Sequence, residues 1–244
     1  MTIDIHVHNY AVDQTVAAAG RNQVDFLVFL GSGSRFGVYP DTAQIQCINN
    51  ETLETVRRFP DSSCGFCCLN PANPLESLQS ELHRCLELPE FRGVKLGIAV
   101  NCRSQKLDPV MEMLEEFDVP LLHHCWYKTV NKYPNESDPS DIADLARRFP
   151  QVKIIMAHLT GCGIRGIEDI ATLPNVWVDT SGGQPEAGFI EYAIKRIGAK
   201  RIVYGSDAPL RDFCSQLAKI HEADISDAER KLIFSENARE LLNL

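Results

Sequence analysis

The feature that most restricts this chain is a repeat of period rather than of residues. Eight short apolar runs, each read as a strand, alternate with segments of helical spacing along all 244 residues. The strand-like runs lie at residues 2–8, 24–31, 63–69, 92–98, 119–125, 152–158, 175–180 and 201–207. Their starts are about 20 to 40 residues apart, the period of repeated βα units, which build a parallel sheet. The run VDFLVFLG is apolar nearly throughout, as a strand covered on both faces must be. Helices are expected near 12–22, 42–58, 75–88, 108–117, 140–149, 164–172, 185–197, 211–221 and from 226 almost to Leu242. Thr160 to Gly163 is expected to form a flexible bend. Eight such units favour a closed (β/α)8 TIM barrel, a single α/β domain over 1–244. An open doubly wound sheet is disfavoured because no Gly-x-Gly-x-x-Gly follows the first strand.

The bulk properties narrow the classes. A hydrophobic share of 44% supports a full core, and a net charge of -9 argues against non-specific nucleic-acid binding. No apolar run approaches the roughly 20 residues of a membrane helix. The start MTIDIHVH shows no basic stretch followed by an apolar one, so no secretory signal is expected. Nine cysteines at scattered spacing read as reduced thiols in a cytoplasmic protein. Cys64, Cys67 and Cys68 lack the matching second pair of a metal knuckle.

The unusual polar residues collect at strand ends. Strict alternation from Thr2 to His8 puts Asp4, His6 and His8 on one face. Two imidazoles two residues apart on a strand can close on one ion. His123 and His124 end the fifth run, His158 the sixth and Asp207 the eighth. Five of the seven histidines thus fall at the C-terminal ends of strands, where a barrel carries its active site.

Taken together, Asp4-x-His6-x-His8, Pro120-Leu121-Leu122-His123-His124, Met156-Ala157-His158-x-x-Gly161 and Gly205-Ser206-Asp207-x-Pro209 resemble the metal-dependent amidohydrolase superfamily. More narrowly, they resemble its branch of aminocarboxymuconate-semialdehyde decarboxylase and related lactone hydrolases. The tail Phe234 to Arg239 is similar to that branch's closing helix. The resemblance runs the length of the chain, in order. It implies that His6, His8 and His124 are metal ligands and that Asp207 is a ligand or a proton-handling group. His158 is then the acid/base residue, or a ligand if a second ion binds. The resemblance implies His124 rather than His123, because the family's histidine usually ends a Pro-x-x-x-His run, here starting at Pro120. His123 then points to the opposite face, although a bulge would exchange the pair. Asp4 is read as support behind the ligands or as a polar residue near the barrel bottom.

Zn2+ suits imidazoles and a carboxylate, with Mn2+ or a second ion as alternatives. Lys95 is expected to face a substrate anion or a buried carboxylate. Arg35, Tyr39, Trp126, Tyr127, Lys128, Arg165 and Arg211 lie in the loops that line such a pocket. Among them Arg35, Trp126 and Arg211, with Lys95, are taken as substrate contacts. The expected activity is hydrolysis of a small carboxylated lactone, ester or amide by a metal-activated water. Non-oxidative decarboxylation at the same site is the alternative, and a non-catalytic metal-binding barrel a further one. The short loops suggest an open pocket, with any lid coming from a second copy in a homo-oligomer.

Overall fold

The computed structural model describes residues 1–31 and 36–244. Eight parallel strands form one sheet in sequence order: β1 (Ile3–His8), β2 (Phe26–Leu30), β3 (Ser63–Leu69), β4 (Phe91–Leu96), β5 (Leu121–His123), β6 (Ile154–Met156), β7 (Val176–Asp179) and β8 (Ile202–Val203). The helices between them are α1 (Val12–Arg21), α2 (Thr42–Arg58), α3 (Leu75–Leu86), α4 (Asp108–Phe117), α5 (Pro139–Arg148), α6 (Leu159–Ile170) and α7 (Phe189–Ile197). After β8 come α8 (Phe213–His221), α9 (Asp227–Lys231) and α10 (Asn237–Leu242). The sheet closes on itself where the segment after β8 runs beside β1. Ile5 N donates to Tyr204 O at 3.0 Å, Asp207 N to His6 O at 2.9 Å and His8 N to Ala208 O at 2.7 Å. The architecture is the (β/α)8 barrel that the period implies.

Strand parity separates two buried layers. Leu27, Phe29, Leu96, Leu121, Met156 and Val178 pack with the helices in the larger cluster. Ile3, Val28, Phe66, Leu122, Ile155 and Val203 fill the barrel itself, with Ala238, Leu241 and Leu242 of α10 in the same cluster. No helix among the described residues is long and apolar enough to cross a membrane.

Four sequence expectations are corrected. The alternation in β1 is not strict: Asp4 pairs with Leu27 and Val7 with Phe29, three residues against two, so a bulge intervenes. Ile3 and Ile5 lie in the barrel interior while Val7 falls in the outer cluster, and Asp4 does not follow His6 and His8 onto one face. The eighth strand is short, and the amides of Gly205 and Ser206 beyond it serve side chains. Gly205 N donates to Thr180 Oγ1 and Ser206 N to Asp4 Oδ1. Residues 159–163 are helical rather than a separate bend, and the break is confined to Gly163, at φ 64°. The single helix expected from 226 is split by a π turn at Leu232–Glu236, which leaves Ile233 O to accept from Tyr204 N at 2.9 Å.

Asn237 ties α10 to the barrel floor, its buried amide donating to Ala199 O and Ile202 O at 2.7 Å each. Asn237→Ala leaves both carbonyls unpaired in the interior. It is expected to lower the unfolding free energy in urea by about 2–4 kcal/mol. A change under about 0.5 kcal/mol would show that these bonds do not hold the floor.

Candidate metal centre

His6 and His8 come from the end of β1, and Asp207 from the turn after β8. The seam described above brings them together. Asp207 has φ 65° and donates its own amide to His6 O, which turns its carboxylate toward the histidines. Asp207 Oδ1 lies 2.9 Å from His8 Nε2 and 3.5 Å from His6 Nε2. One ligand atom from each of His6, His8 and Asp207 falls within 4.8 Å of the others.

The tautomer of His6 is set from behind. Its Nδ1 donates to Asp179 Oδ2 at 2.7 Å, so the lone pair sits on Nε2. That Nε2 is buried and has no hydrogen-bond partner among the described residues. A buried acceptor without a partner is costly, and a divalent cation would satisfy it. The residues present therefore fit a metal ion: two imidazoles and a carboxylate, with an orphaned nitrogen directed at the gap. Asp179 is fixed in turn, its Oδ1 accepting from His158 N and Ser181 N at 3.0 Å and from Ser181 Oγ. Burial works against the charge on Asp179, but the His6 imidazole and these bonds hold its carboxyl well below the usual range. Asp207 is likewise held low against burial, chiefly by His8 and His6. Burial pushes His8 below its ordinary value, opposed by Asp207.

His158 stands beside this trio. It immediately precedes α6 at φ 71°, and Gly182 makes the room: a Cβ there would lie 2.7 Å from the His158 Cβ. His158 Nδ1 donates to Cys125 O at 3.0 Å. Its ring centroid is 5.1 Å from His6, 4.9 Å from His124 and 5.1 Å from Trp126. Burial pushes the His158 imidazole well below its ordinary value, so the ring is neutral. His124 lines the same cavity, but its Nε2 lies 2.9 Å from Glu136 Oε1 and it stands outside the close trio. His123 is fully buried, with Nδ1 donating to His124 O at 2.6 Å, and does not line the cavity.

The cavity above these residues has a volume of about 640 Å³. Lys95 on β4 reaches into it, is buried, and makes no hydrogen bond or ion pair among the described residues. Burial lowers its ammonium to about 8, against the attraction of Asp179 and Asp207. Trp126 and Arg211 also line the cavity, as does Lys128, which is paired with Glu136 at 2.7 Å. Trp126 lies flat on Gly161, where a Cβ would come within 2.8 Å of the indole. Tyr39, Tyr127 and Arg165 do not line it, and the Arg165 guanidinium stacks 4.8 Å from the Tyr127 ring centroid. Arg35 lies outside the described residues. Asp4 supports the site from behind, its Oδ1 accepting from His6 N and Ser206 N at 3.0 Å. Sequence reasoning missed Asp179 and Glu136. Asp179 ends β7 at the rim that holds the other site residues, a signal that was available. Glu136 sits in a loop and carries no such mark.

A family profile described as amidohydrolase matches residues 3–244. Comparison with curated protein sequences finds no significant match. Among solved structures, a 2,6-dihydroxybenzoate decarboxylase from Rhizobium is 17% identical, with a TM-score of 0.78 over 99% of this chain and 98% of that one. A dihydroxybenzoic acid decarboxylase from Polaromonas, with bound manganese and 2-nitroresorcinol, is 18% identical, with a TM-score of 0.76 over 100% and 97%. A 5-carboxyvanillate decarboxylase from Novosphingobium aromaticivorans, complexed with manganese and 4-hydroxy-3-methoxy-5-nitrobenzoic acid, is 18% identical, with a TM-score of 0.77 over 95% and 80%. At these identities the likeness is one of fold. Barrel and site together define a metal-dependent enzyme. The chain belongs to the amidohydrolase family.

The placement of His123 outside the cavity has a measurable consequence. Burial pushes its imidazole down to about 3, while the unfolded chain titrates near about 6.5. The unfolded state therefore takes up the proton first. The stability held above about pH 6.5 is lost as pH falls through that window, by about 2 kcal/mol at pH 5. His123→Leu is expected to remove this part of the acid sensitivity in urea unfolding at pH 7 and pH 5, while metal content stays unchanged. An unchanged pH dependence, or loss of metal, would contradict the placement.

Proposed function

We propose that the chain is a non-oxidative decarboxylase of a small carboxylated, ring-like substrate, working as one catalytic domain over 1–244. His6, His8 and Asp207 would hold one divalent ion, zinc or manganese, with His124 as a further donor from the rim. Bound there, the ion would supply Lewis-acid polarisation of substrate oxygens. The observation that carries the reading is the convergence of His6, His8 and Asp207 beside the cationic Lys95 in a cavity that fits a single ring. The bound manganese and the reactions named for the structural neighbours favour decarboxylation over hydrolysis and support the aminocarboxymuconate-semialdehyde decarboxylase branch.

The residues have separable tasks. Lys95 offers its ammonium to a substrate anion from the barrel wall, and Arg211 offers a guanidinium fork at the mouth. Leu69, Ile98 and Ala99 give the cavity an apolar wall against which a ring can lie. Trp126 covers His158 and limits water there. Breaking the bond between the substrate carbon and its carboxylate carbon releases carbon dioxide and leaves the electron pair on the substrate carbon, which must take up one proton. His158 Nε2, left unprotonated by the Nδ1 bond to Cys125 O, and the Asp207 carboxylate are placed to take a proton from water and pass it to that carbon. The net charge of -9 is in keeping with a small-molecule partner rather than nucleic acid.

Protein loaded with manganese or zinc should release bicarbonate from hydroxybenzoate- or muconate-type acids and bind about one ion per chain. Asp207→Ala and His158→Ala should lose at least about 100-fold in kcat, and His8→Ala should lose the ion by elemental analysis. Acid release from lactones without bicarbonate would establish a hydrolase instead. Full occupancy with no turnover across both panels would leave a binding barrel.

A further inference from the structure

Three of the four imidazoles that line the cavity, all but His8, have one nitrogen held by a group outside the close trio. Asp179 takes His6 Nδ1, and the Cys125 carbonyl takes His158 Nδ1. For His124 the holder is Glu136, a residue to which neither the fold nor the family motifs assign a part. We propose that Glu136 is a positioning residue. It fixes His124 as the tautomer protonated at Nε2, so that Nδ1 is the basic nitrogen the ring offers to the site. This inference rests on the reading of the cavity as a divalent-metal site.

Glu136 is only 1% exposed, although it belongs to the loop between β5 and α5. Its Oε1 accepts from His124 Nε2 at 2.9 Å and from Lys128 Nζ at 2.7 Å, and its Oε2 from Tyr133 N at 3.2 Å. A buried carboxylate is tolerated only with such partners. The loop around it is pinned, so the carboxylate is a fixed point rather than a swinging one. Ser137 O accepts from Trp126 N at 3.1 Å, Ser137 Oγ from Cys102 N at 3.0 Å, and Asn135 Nδ2 donates to Ala99 O at 3.0 Å. Pairing with Lys128 alone could be met by an exposed acid at the rim. The burial of Glu136 against an imidazole that lines the cavity is what a rim ion pair does not need. Carboxylates behind ligating histidines typically set ring orientation and metal affinity.

The test is a double-mutant cycle on zinc affinity, read by competition with a chromophoric chelator in the full chain. Glu136→Gln should weaken zinc binding about tenfold or more. In a His124→Ala background the same substitution should add nothing, because Glu136 acts only through that ring. Affinity within twofold of the parent, or losses that multiply, would overturn the proposal. If the Gln variant does not fold, Glu136→Asp replaces it. This variant keeps the charge but withdraws it by one methylene, and a several-fold loss confined to the His124 background decides the matter in the same way. A second readout needs no metal. Long-range 1H–15N spectra of the metal-free protein should show His124 as the Nε2–H tautomer, and Glu136→Gln should give a mixture. A mixture already present in the parent would overturn the assignment. Absence of zinc binding in the parent would instead strike the metal reading, so the two failures can be told apart.

Discussion

The site depends on the seam where the barrel closes. β1 meets not a long eighth strand but an irregular segment from Tyr204 to Ala208, and two of the backbone bonds across that join involve the candidate ligands. Asp207 N on His6 O and His8 N on Ala208 O set the spacing of the three candidate ligands. Asp4, displaced by the bulge, ties the two sides with one carboxylate oxygen. With Ile3 and Ile5 inside the barrel, strict alternation would have sent His6 and His8 outward together. The bulge lets Ile5 keep the interior filled while His6 and His8 still turn toward the cavity.

Charge burial follows from this closure. Asp179 and Asp207 are both buried and both held ionised, which requires compensation. Hydrogen bonds from Ser181 and the imidazoles supply part of it. Two buried lysines feel the same pair of carboxylates from different sides. Lys95 does so from the barrel wall. Lys219 on α8 does so from the segments after β6 and β7, donating to Thr180 O at 3.1 Å and Thr160 Oγ1 at 3.4 Å. Burial lowers both ammonium groups to about 8. The two ammonium groups thus stand against the two carboxylates.

The barrel was legible because its signal is redundant. Eight apolar runs at one period survive errors of two or three residues at each boundary. The rim residues were legible for a related reason: His6, His8, His124, His158 and Asp207 each end a run, and the barrel gathers such ends. The departures are places where a side chain or a single hydrogen bond decides. Asp4 changed faces through a bulge that no local residue announces. The π turn at Leu232–Glu236 exists to free one carbonyl for Tyr204, a tertiary demand that helix periodicity does not carry. Glu136 reaches His124 across a loop of twelve residues' separation, and loop geometry has no period to read. Hydrolysis and decarboxylation call on the same rim residues, so the motifs could not separate them.

The central claim is that His6, His8 and Asp207 share one cation. The most direct measurement is anomalous diffraction from crystals grown with manganese or zinc. The account predicts a single strong peak within about 2.0–2.3 Å of His6 Nε2, His8 Nε2 and an Asp207 oxygen. A peak elsewhere, or none between those three side chains at full metal loading, would contradict it.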